Sequence, residues 1–437
     1  MFSYYVRLAL LSLRKNILLT GLMIAAIGLG IGAAMTTITV NYMMSSDPIP
    51  QKSERLFHVQ LDNWSPNAPY NEPNEPPDQV TWLDATNLLQ EGRAFRQAAM
   101  GGTSFVIEPS QAEQKPFIAS GRATSADFFP MFDVPFLYGR GWTASDDTSQ
   151  NLVVVLSKAT NDQLFGGENS VGETVVMGGR AFQVVGVLND WQPRPRFYDV
   201  STGPFNDVEE VFVPWSLKEP LELPLNGNNN CWKPVGEETF SAFLRSECVN
   251  SQFWVEFEDP QDADNYLAFL NNYVTEQKKL GRFERPLNNR LLDVMDWMEY
   301  REVVAEDAIM MMYMAIMFLV VCLLNTVALL LAKFLGRSGE IALRRVVGAS
   351  RRDLFLQYTV ESAMIGIAGG LLGLVLAWFG LQGIGGLYGD MTEGLNELDL
   401  TMVGFAIVLA IVSTILAGLY PTWRACSVAP AGQLKSQ

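Results

Sequence analysis

The chain has 437 residues, 31 Lys plus Arg against 47 Asp plus Glu, a formal net charge of −16, and one histidine. So acidic a balance argues against nucleic acid as a partner and, less strongly, against docking on anionic lipid headgroups. One histidine excludes a His-rich metal site and leaves few acid–base constellations, so no catalytic residue and no metal ligand is assigned.

Hydrophobic residues make up 49% of the chain and gather into four runs with few or no charges: Ile17 to Met44, Ile309 to Ala332, Ser362 to Leu387 and Leu400 to Tyr420. Each reaches the roughly 20 residues that a helix needs to cross about 30 Å of hydrocarbon. Four transmembrane helices are predicted, at 17–44, 309–332, 359–387 and 400–420. Buried helices of a soluble protein would need four such runs with almost no polar face. Lys and Arg near the ends set the orientation. Arg7, Arg14 and Lys15 precede the first run, Lys333, Arg337, Arg344, Arg345, Arg351 and Arg352 follow the second, and Arg424 and Lys435 follow the fourth. Both termini and the segment 333–358 are therefore expected in the cytoplasm. The 388–399 loop, with Asp390, Glu393, Glu397 and Asp399 and no basic residue, is expected outside. So are the 264 residues 45–308, which hold 20 Lys plus Arg against 40 Asp plus Glu.

In chain order, residues 1–16 read as an amphipathic helix on the inner leaflet, with Arg7 and Arg14 on one face. A cleaved signal peptide is the alternative, against which the 28-residue apolar run is far longer than a normal signal core. Gly21, Ala25, Gly28 and Gly32 place small residues every three or four positions, which suits close helix packing.

The exported part reads as α+β. Strands are expected over Arg55 to Leu61, Ala98 to Glu108 and Lys115 to Arg122, with a helix at Thr81 to Gly92 that turns Asp84 and Glu91 outward. Leu152 to Gly167 reads as strand then helix, and Ser170 to Leu188 as a hairpin turned at Gly178-Gly179. A strand at Glu210 to Trp215 follows, then a strand at Phe253 to Phe257, a helix at Ala263 to Lys279 and a closing strand at Asn288 to Asp293. The repeated strand, helix, strand order suggests a porter-like α/β subdomain split into two halves, with a β-rich subdomain inserted between them. Cys231 and Cys248 lie in this exported part, where disulfides persist, and are predicted to bond; Cys322 falls in the second run and Cys426 in the tail. The adjacent carboxylates Asp146 with Asp147, Glu209 with Glu210, and Glu237 with Glu238 read as solvated.

Asp296 to Asp307 reads as a charged helix continuous with the second span, so the first two spans would form a stalk. Met310, Met311, Met312 and Met314 read as adaptable packing rather than a soft-metal site, because consecutive residues point around a helix. Gly366, Gly369, Gly370 and Gly373 form two overlapping G-x-x-x-G spacings, a packing face. Glu361 reads as an interfacial residue, with a proton relay as the alternative.

The stretch Gly336 to Tyr358 is the most basic part of the chain. Glu340 stands four residues before Arg344, which supports a helix from Ser338 to Val347. Gly348 suits the left-handed residue that closes it, and Ser350 with Asp353 has the spacing of a capping box that opens a second helix. The phosphate-loop pattern G-x-x-x-x-G-K-[ST] does not occur, so nucleotide is not bound by that motif.

These pieces resemble the MacB and FtsX superfamily of ABC-transporter permeases (type VII). Glu340-Ile341-Ala342-Leu343-Arg344-Arg345-Val346-Val347-Gly348-Ala349-Ser350-Arg351 is similar to the family's E-I-G-[IL]-R-[RK]-A-[LIV]-G-A-[ST]-[RK] element, with Ala342 for the usual Gly and Val346 for the usual Ala. Tyr420-Pro421-Thr422-Trp423-Arg424-Ala425 and Val428-Ala429-Pro430-Ala431 look like its closing P-x-x-R-A and following Pro. Asp127-Phe128-Phe129, Gly139-Arg140, Leu164-Phe165-Gly166, Val171-Gly172 and Val184-Val185-Gly186-Val187 resemble the MacB-type periplasmic core. The resemblance covers nearly the whole chain.

It implies a non-catalytic permease subunit of the bacterial inner membrane that couples ATP hydrolysis by a separate ATPase to periplasmic movement. The expected task is export or efflux of a peptide, drug or lipoprotein. ATP and Mg are expected on the partner ATPase and no cofactor on this chain. Expected partners are a cytoplasmic ABC ATPase dimer and a second permease, the same or a paralogue; the resemblance also allows a periplasmic adaptor and an outer-membrane channel. Glu340, Ile341, Leu343, Arg344, Arg345, Val347, Gly348, Ala349, Ser350 and Arg351 would be the ATPase-coupling residues. Gly28, Gly32, Gly366, Gly370 and Gly373 would pack the spans. The alternatives are an FtsX-like regulator of a periplasmic enzyme and a Lol-type lipoprotein-releasing permease.

Overall fold

A computed structural model describes residues 2–109, 114–388 and 400–427. It divides into two compact units, a helical one of Met1–Ser45 with Val304–Gln437 and an α/β one of Ser46–Val303. Residues 389–399, with the four carboxylates of the expected outer loop, and the tail from 428 on lie outside the described residues.

The chain opens with α1 (Phe2–Lys15) and α2 (Ile17–Ser45). The α/β unit then runs β1 (Leu56–Gln60), β2 (Val80–Thr81), α3 (Trp82–Glu91), β3 (Arg96–Glu108), β4 (Phe117–Thr124), α4 (Phe128–Met131), β5 (Phe136–Gly139) and α5 (Ala144–Thr148). It continues with β6 (Val153–Leu156), α6 (Lys158–Phe165), β7 (Thr174–Met177), β8 (Arg180–Leu188), β9 (Val211–Pro214) and α7 (Phe240–Leu244). It ends with β10 (Val249–Glu256), α8 (Asp262–Lys279), β11 (Arg290–Asp293) and α9 (Val294–Tyr300). The chain then returns to helix in α10 (Glu306–Leu335), α11 (Ser338–Val346), α12 (Arg351–Tyr388) and α13 (Leu400–Ser427).

Among the described residues, three helices are long and apolar enough to cross a membrane: α2, α10 and Arg351–Gly383 within α12. The fourth run is helical as α13. Small residues let these helices approach closely, the packing that substitutes for a hydrophobic driving force in lipid. A β-carbon on Gly28 would meet Leu372 at 2.8 Å and one on Gly32 would meet Leu376 at 2.8 Å; reciprocally, Gly369 and Gly373 face Ile27 and Ile31 at 2.7 and 2.8 Å. Gly366 turns instead toward Thr414 of α13, at 2.5 Å. The overlapping glycine spacings therefore serve two neighbours. Gly370 is buried on the same helix.

In the α/β unit all strands join one 11-stranded sheet, in the order β11-β1-β10-β3-β4-β9-β6-β8-β5, with β2 on β10 and β7 on β3 and β8. The long β3 is its axis. Its first residues pair with β10 (Ala98↔Trp254) and the rest with β4 (Thr103↔Gly121), both antiparallel. Strands from the two ends of the unit sit together, since β1 lies between β11 and β10. The intervening strands continue the same sheet beyond β4, through a parallel pairing of β4 with β9. Gly178 and Gly179, at φ +56° and +71°, give the β7–β8 hairpin its tight turn. The core of one face holds Val59, Phe105, Leu156, Phe182, Phe253 and Leu270.

The disulfide links Cys231 to Cys248 across 17 positions of sequence. Asn230 and Val249, the residues just outside it, exchange backbone hydrogen bonds of 2.9 and 3.1 Å that hold the two ends of the loop together.

Three expectations are corrected. Asp84 does not face outward: it is buried, accepts from Tyr273 Oη at 2.7 Å, and pairs with Arg282. Glu209 is not solvated; it is buried against Arg122 and against Arg196 at 2.9 Å, while Asp199 takes Arg122 at 2.5 Å and Gln252 at 2.7 Å. Burial works to raise the Asp199 and Glu209 carboxyls, but the two guanidinium groups outweigh it and hold both below the usual range. Third, Asp296 to Asp307 is not one helix running into the second span. Asp293 caps α9 by accepting from Asp296 N at 2.8 Å. The helix then stops at Tyr300, with Glu302 at φ +49° and Ala305 extended before α10 begins.

Candidate functional site

The basic stretch folds as helix, turn, helix within the helical unit. Glu340 and Arg344, one turn apart on α11, pair at 2.6 Å, and Arg344 also donates to Gln357 Oε1 of α12 at 2.9 Å. Gly348 takes φ +111°, a conformation that L side chains rarely adopt. It lets Gly348 N and Ala349 N reach back to the carbonyls of Arg345 and Arg344 at 3.2 and 3.0 Å, closing α11. Ser350 and Asp353 form the reciprocal capping pair: Asp353 N donates to Ser350 Oγ at 3.2 Å, and Ser350 N to Asp353 Oδ2 at 3.3 Å.

The element divides its apolar residues between two sides. Ile341 is buried, in one cluster with Phe334, Leu354 and Tyr358. Leu343, at 58% exposure, Val346 and Val347, at 80%, are presented outward. Leu343, Arg344, Val347, Ala349 and Asp353 line a groove of about 540 Å³ whose opposite wall is Tyr4, Tyr5 and Leu8 of α1. Tyr5 Oη donates to Asp353 Oδ1 at 3.3 Å across the groove floor. Arg345 is partly buried, and Gly348, Ser350 and Arg351 are exposed at the turn. An apolar groove with a guanidinium on its rim suits an apolar ridge flanked by a carboxylate, which is a protein-docking chemistry.

Sequence reasoning missed the α1 wall. Its apolar side chains, Tyr4, Tyr5 and Leu8 among them, read equally well as a lipid-facing stripe. It also missed Gln357, an uncharged residue nearly two turns inside α12. Beneath the groove lies a further feature with no motif to announce it. Lys333 of α10 and Glu361 of α12 pair at 2.8 Å with both side chains wholly buried.

A family model for the MacB-like periplasmic core domain matches residues 20–269, and one for the FtsX-like permease C-terminal region matches residues 312–430. The chain belongs to the MacB/FtsX superfamily of ABC-transporter permeases. This permease is 24% identical over 367 residues to the pyoverdine export ATP-binding/permease protein PvdT of Pseudomonas entomophila (strain L48), covering 83% of this chain and 49% of that protein. It is likewise 24% identical to the macrolide export ATP-binding/permease protein MacB of Pasteurella multocida (strain Pm70), over 73% of this chain and 43% of that one. The permease thus spans about half the length of the curated relatives it matches. The crystal structure of the periplasmic region of MacB from Actinobacillus actinomycetemcomitans aligns with 56% of this chain and 92% of its own, at 16% identity and a TM-score of 0.36. Permeases of this superfamily work with an ATPase in ABC transporters, and the basic element of this one falls within the FtsX-like match.

Proposed function

We propose that this permease couples ATP hydrolysis in a separate ABC ATPase dimer to movement of its MacB-like domain, and so drives export of a periplasmic cargo. The observation that carries this reading is the exposed Leu343, Val346 and Val347 surface on a helix fixed at both ends, beside a groove edged by Arg344. Glu340, Ile341, Leu343, Arg344, Arg345, Val347, Gly348, Ala349, Ser350 and Arg351 form the coupling element, and ATP with Mg belongs to the ATPase. α13 is the fourth span, both termini are cytoplasmic, and the membrane is the bacterial inner membrane. The chain joins α2 and α10 directly to the two ends of the MacB-like domain, so a displacement of the coupling element has a covalent route to it. A second permease completes the pair. The relatives named for pyoverdine and macrolide export support a cargo of that kind, a natural product or small peptide.

The test is affinity purification of the tagged chain in mild detergent, followed by mass spectrometry and an ATPase assay. Recovery of an ABC ATPase, with activity that depends on the permease, supports the reading. A purified chain that brings no ATPase, even after crosslinking in the membrane, overturns it.

A further inference from the structure

Around Lys333 and Glu361, residues of α1, α2, α10 and α12 and the residue before α11 meet in one polar chain that is buried at its centre. Glu361 Oε1 takes Lys333 Nζ at 2.8 Å and also the hydroxyl of Ser12, from α1, at 2.5 Å. The Ser12 hydroxyl in turn accepts from Arg337 Nη1, and the Ser12 carbonyl accepts from Arg337 Nη2 at 3.2 Å. Lys333 Nζ also reaches Thr20 Oγ1 of α2, at 3.5 Å. Arg337 is the N-cap residue, immediately before α11. The chain of contacts therefore runs from the start of the coupling element to α1, and from there to α12 and α10.

Stability does not account for this arrangement. Removing an ammonium and a carboxylate from water opposes their attraction, and an apolar pair of similar volume is often as stable or more so. Glu361 moreover uses only one oxygen, since Oε2 is buried without a hydrogen-bond partner. What charged, directional contacts add over methyl groups is a defined geometry. Apolar contacts at Ile341 and Leu354 allow α11 to slide; a guanidinium bonded twice to one serine does not.

We propose that Ser12, Lys333, Arg337 and Glu361 are positioning residues that clamp the coupling element to α1 and α12, so that force on α11 moves these helices as one body. The clamp rests on the coupling role proposed above, but its geometry is testable without it.

The experiment uses the full chain with K333M/E361M, which removes both charges at once, and with R337M, which keeps the ion pair and removes both bonds to Ser12. Spin labels at the exposed positions Leu10 and Gly339, outside the proposed docking surface, report how firmly α11 is held to α1. In both variants the distance distribution between the labels broadens. The amount in the membrane and the ATPase recovered stay at the parent level, while permease-dependent ATPase stimulation falls by about five-fold or more. An unchanged, narrow distribution in R337M overturns the clamp, whether or not an ATPase partner exists. A broadened distribution with full ATPase stimulation overturns its part in coupling. If K333M/E361M does not reach the membrane, R337M alone decides by the same two readouts. Absence of any ATPase from the parent chain would instead defeat the coupling reading and leave the label distances to judge the clamp.

Discussion

Arg282 holds both carboxylate oxygens of Asp84 through two hydrogen bonds of 2.7 Å, and its Nε reaches Glu247 at 2.6 Å. Asp84 belongs to α3, Glu247 to the segment entering β10, and Arg282 to the turn after α8. One planar group thus joins three parts of the α/β unit that lie far apart in sequence. Burial works against the Arg282 charge, but Asp84 and Glu247 outweigh it and raise its pKa.

Removing that guanidinium strands Asp84, which is 1% exposed, without its countercharge. Arg282→Ala is expected to destabilise the unit by about 3 kcal/mol or more, the scale for breaking one side of a buried pair. Arg282→Lys is expected to recover less than half, because an ammonium cannot make the two-pronged contact. Denaturant unfolding of the purified chain, followed by tryptophan fluorescence, measures both; a loss under about 1 kcal/mol in the alanine variant contradicts the account.

Lys218 makes a prediction of opposite sign. Its Nζ is buried without a hydrogen-bond partner, 4.8 Å from the Trp215 ring. Burial, with the Arg122 charge added, lowers its pKa to about 7 from 10.5. A base depressed in the native state binds fewer protons folded than unfolded, so stability from this group rises with pH between those values. It is lost as pH falls through about 7. Lys218→Met is expected to stabilise the unit at pH 7 by on the order of 2 kcal/mol and to flatten the stability profile above pH 7. Melting curves across that range test it, and a methionine variant as pH-dependent as the parent would refute the assignment.

The disulfide predicts a conditional loss. Closing a loop of this length stabilises by about 3 kcal/mol in the chain-entropy treatment. Reductant should therefore lower the melting temperature of the parent chain, while a Cys231→Ser/Cys248→Ser chain should start lower and ignore reductant. Equal sensitivity in the two would mean that reductant acts elsewhere.

The sequence exposed what depends on local pattern. Strand alternation, the Gly178-Gly179 turn and the Ser350/Asp353 cap each lie within a few residues, and the structure has them where the pattern places them; among the described residues, three of the four apolar runs fall in helices long and apolar enough to cross a membrane. The long-range polar pairs were hidden. Asp84 on an amphipathic helix and Glu209 beside Glu210 look like solvent-facing carboxylates until the fold brings Arg282 and Arg122 to them. The same reason hid the α1 wall of the groove and the Lys333–Glu361 pair, whose members lie 28 positions apart in sequence on different helices. Helix continuity failed at Arg301–Ala305 because charge pattern alone does not report a left-handed residue such as Glu302.

Gly348 gives the sharpest test of the coupling element. At φ +111° any side chain is strained, and a β-branched one most of all, although no neighbouring atom would collide with it. Gly348→Val therefore leaves packing intact and distorts only the turn that sets α11 against α12. Arg344→Ala removes the tie to Gln357 and one exposed ion pair, which is worth less than about 1 kcal/mol to stability. Both variants are expected to insert normally and to bring down the ATPase, yet to lower permease-dependent ATPase stimulation by about five-fold or more. The valine variant should be the more severe, because it alters backbone geometry while the alanine variant removes one contact. Full stimulation in both would show that the turn is a membrane anchor rather than a lever.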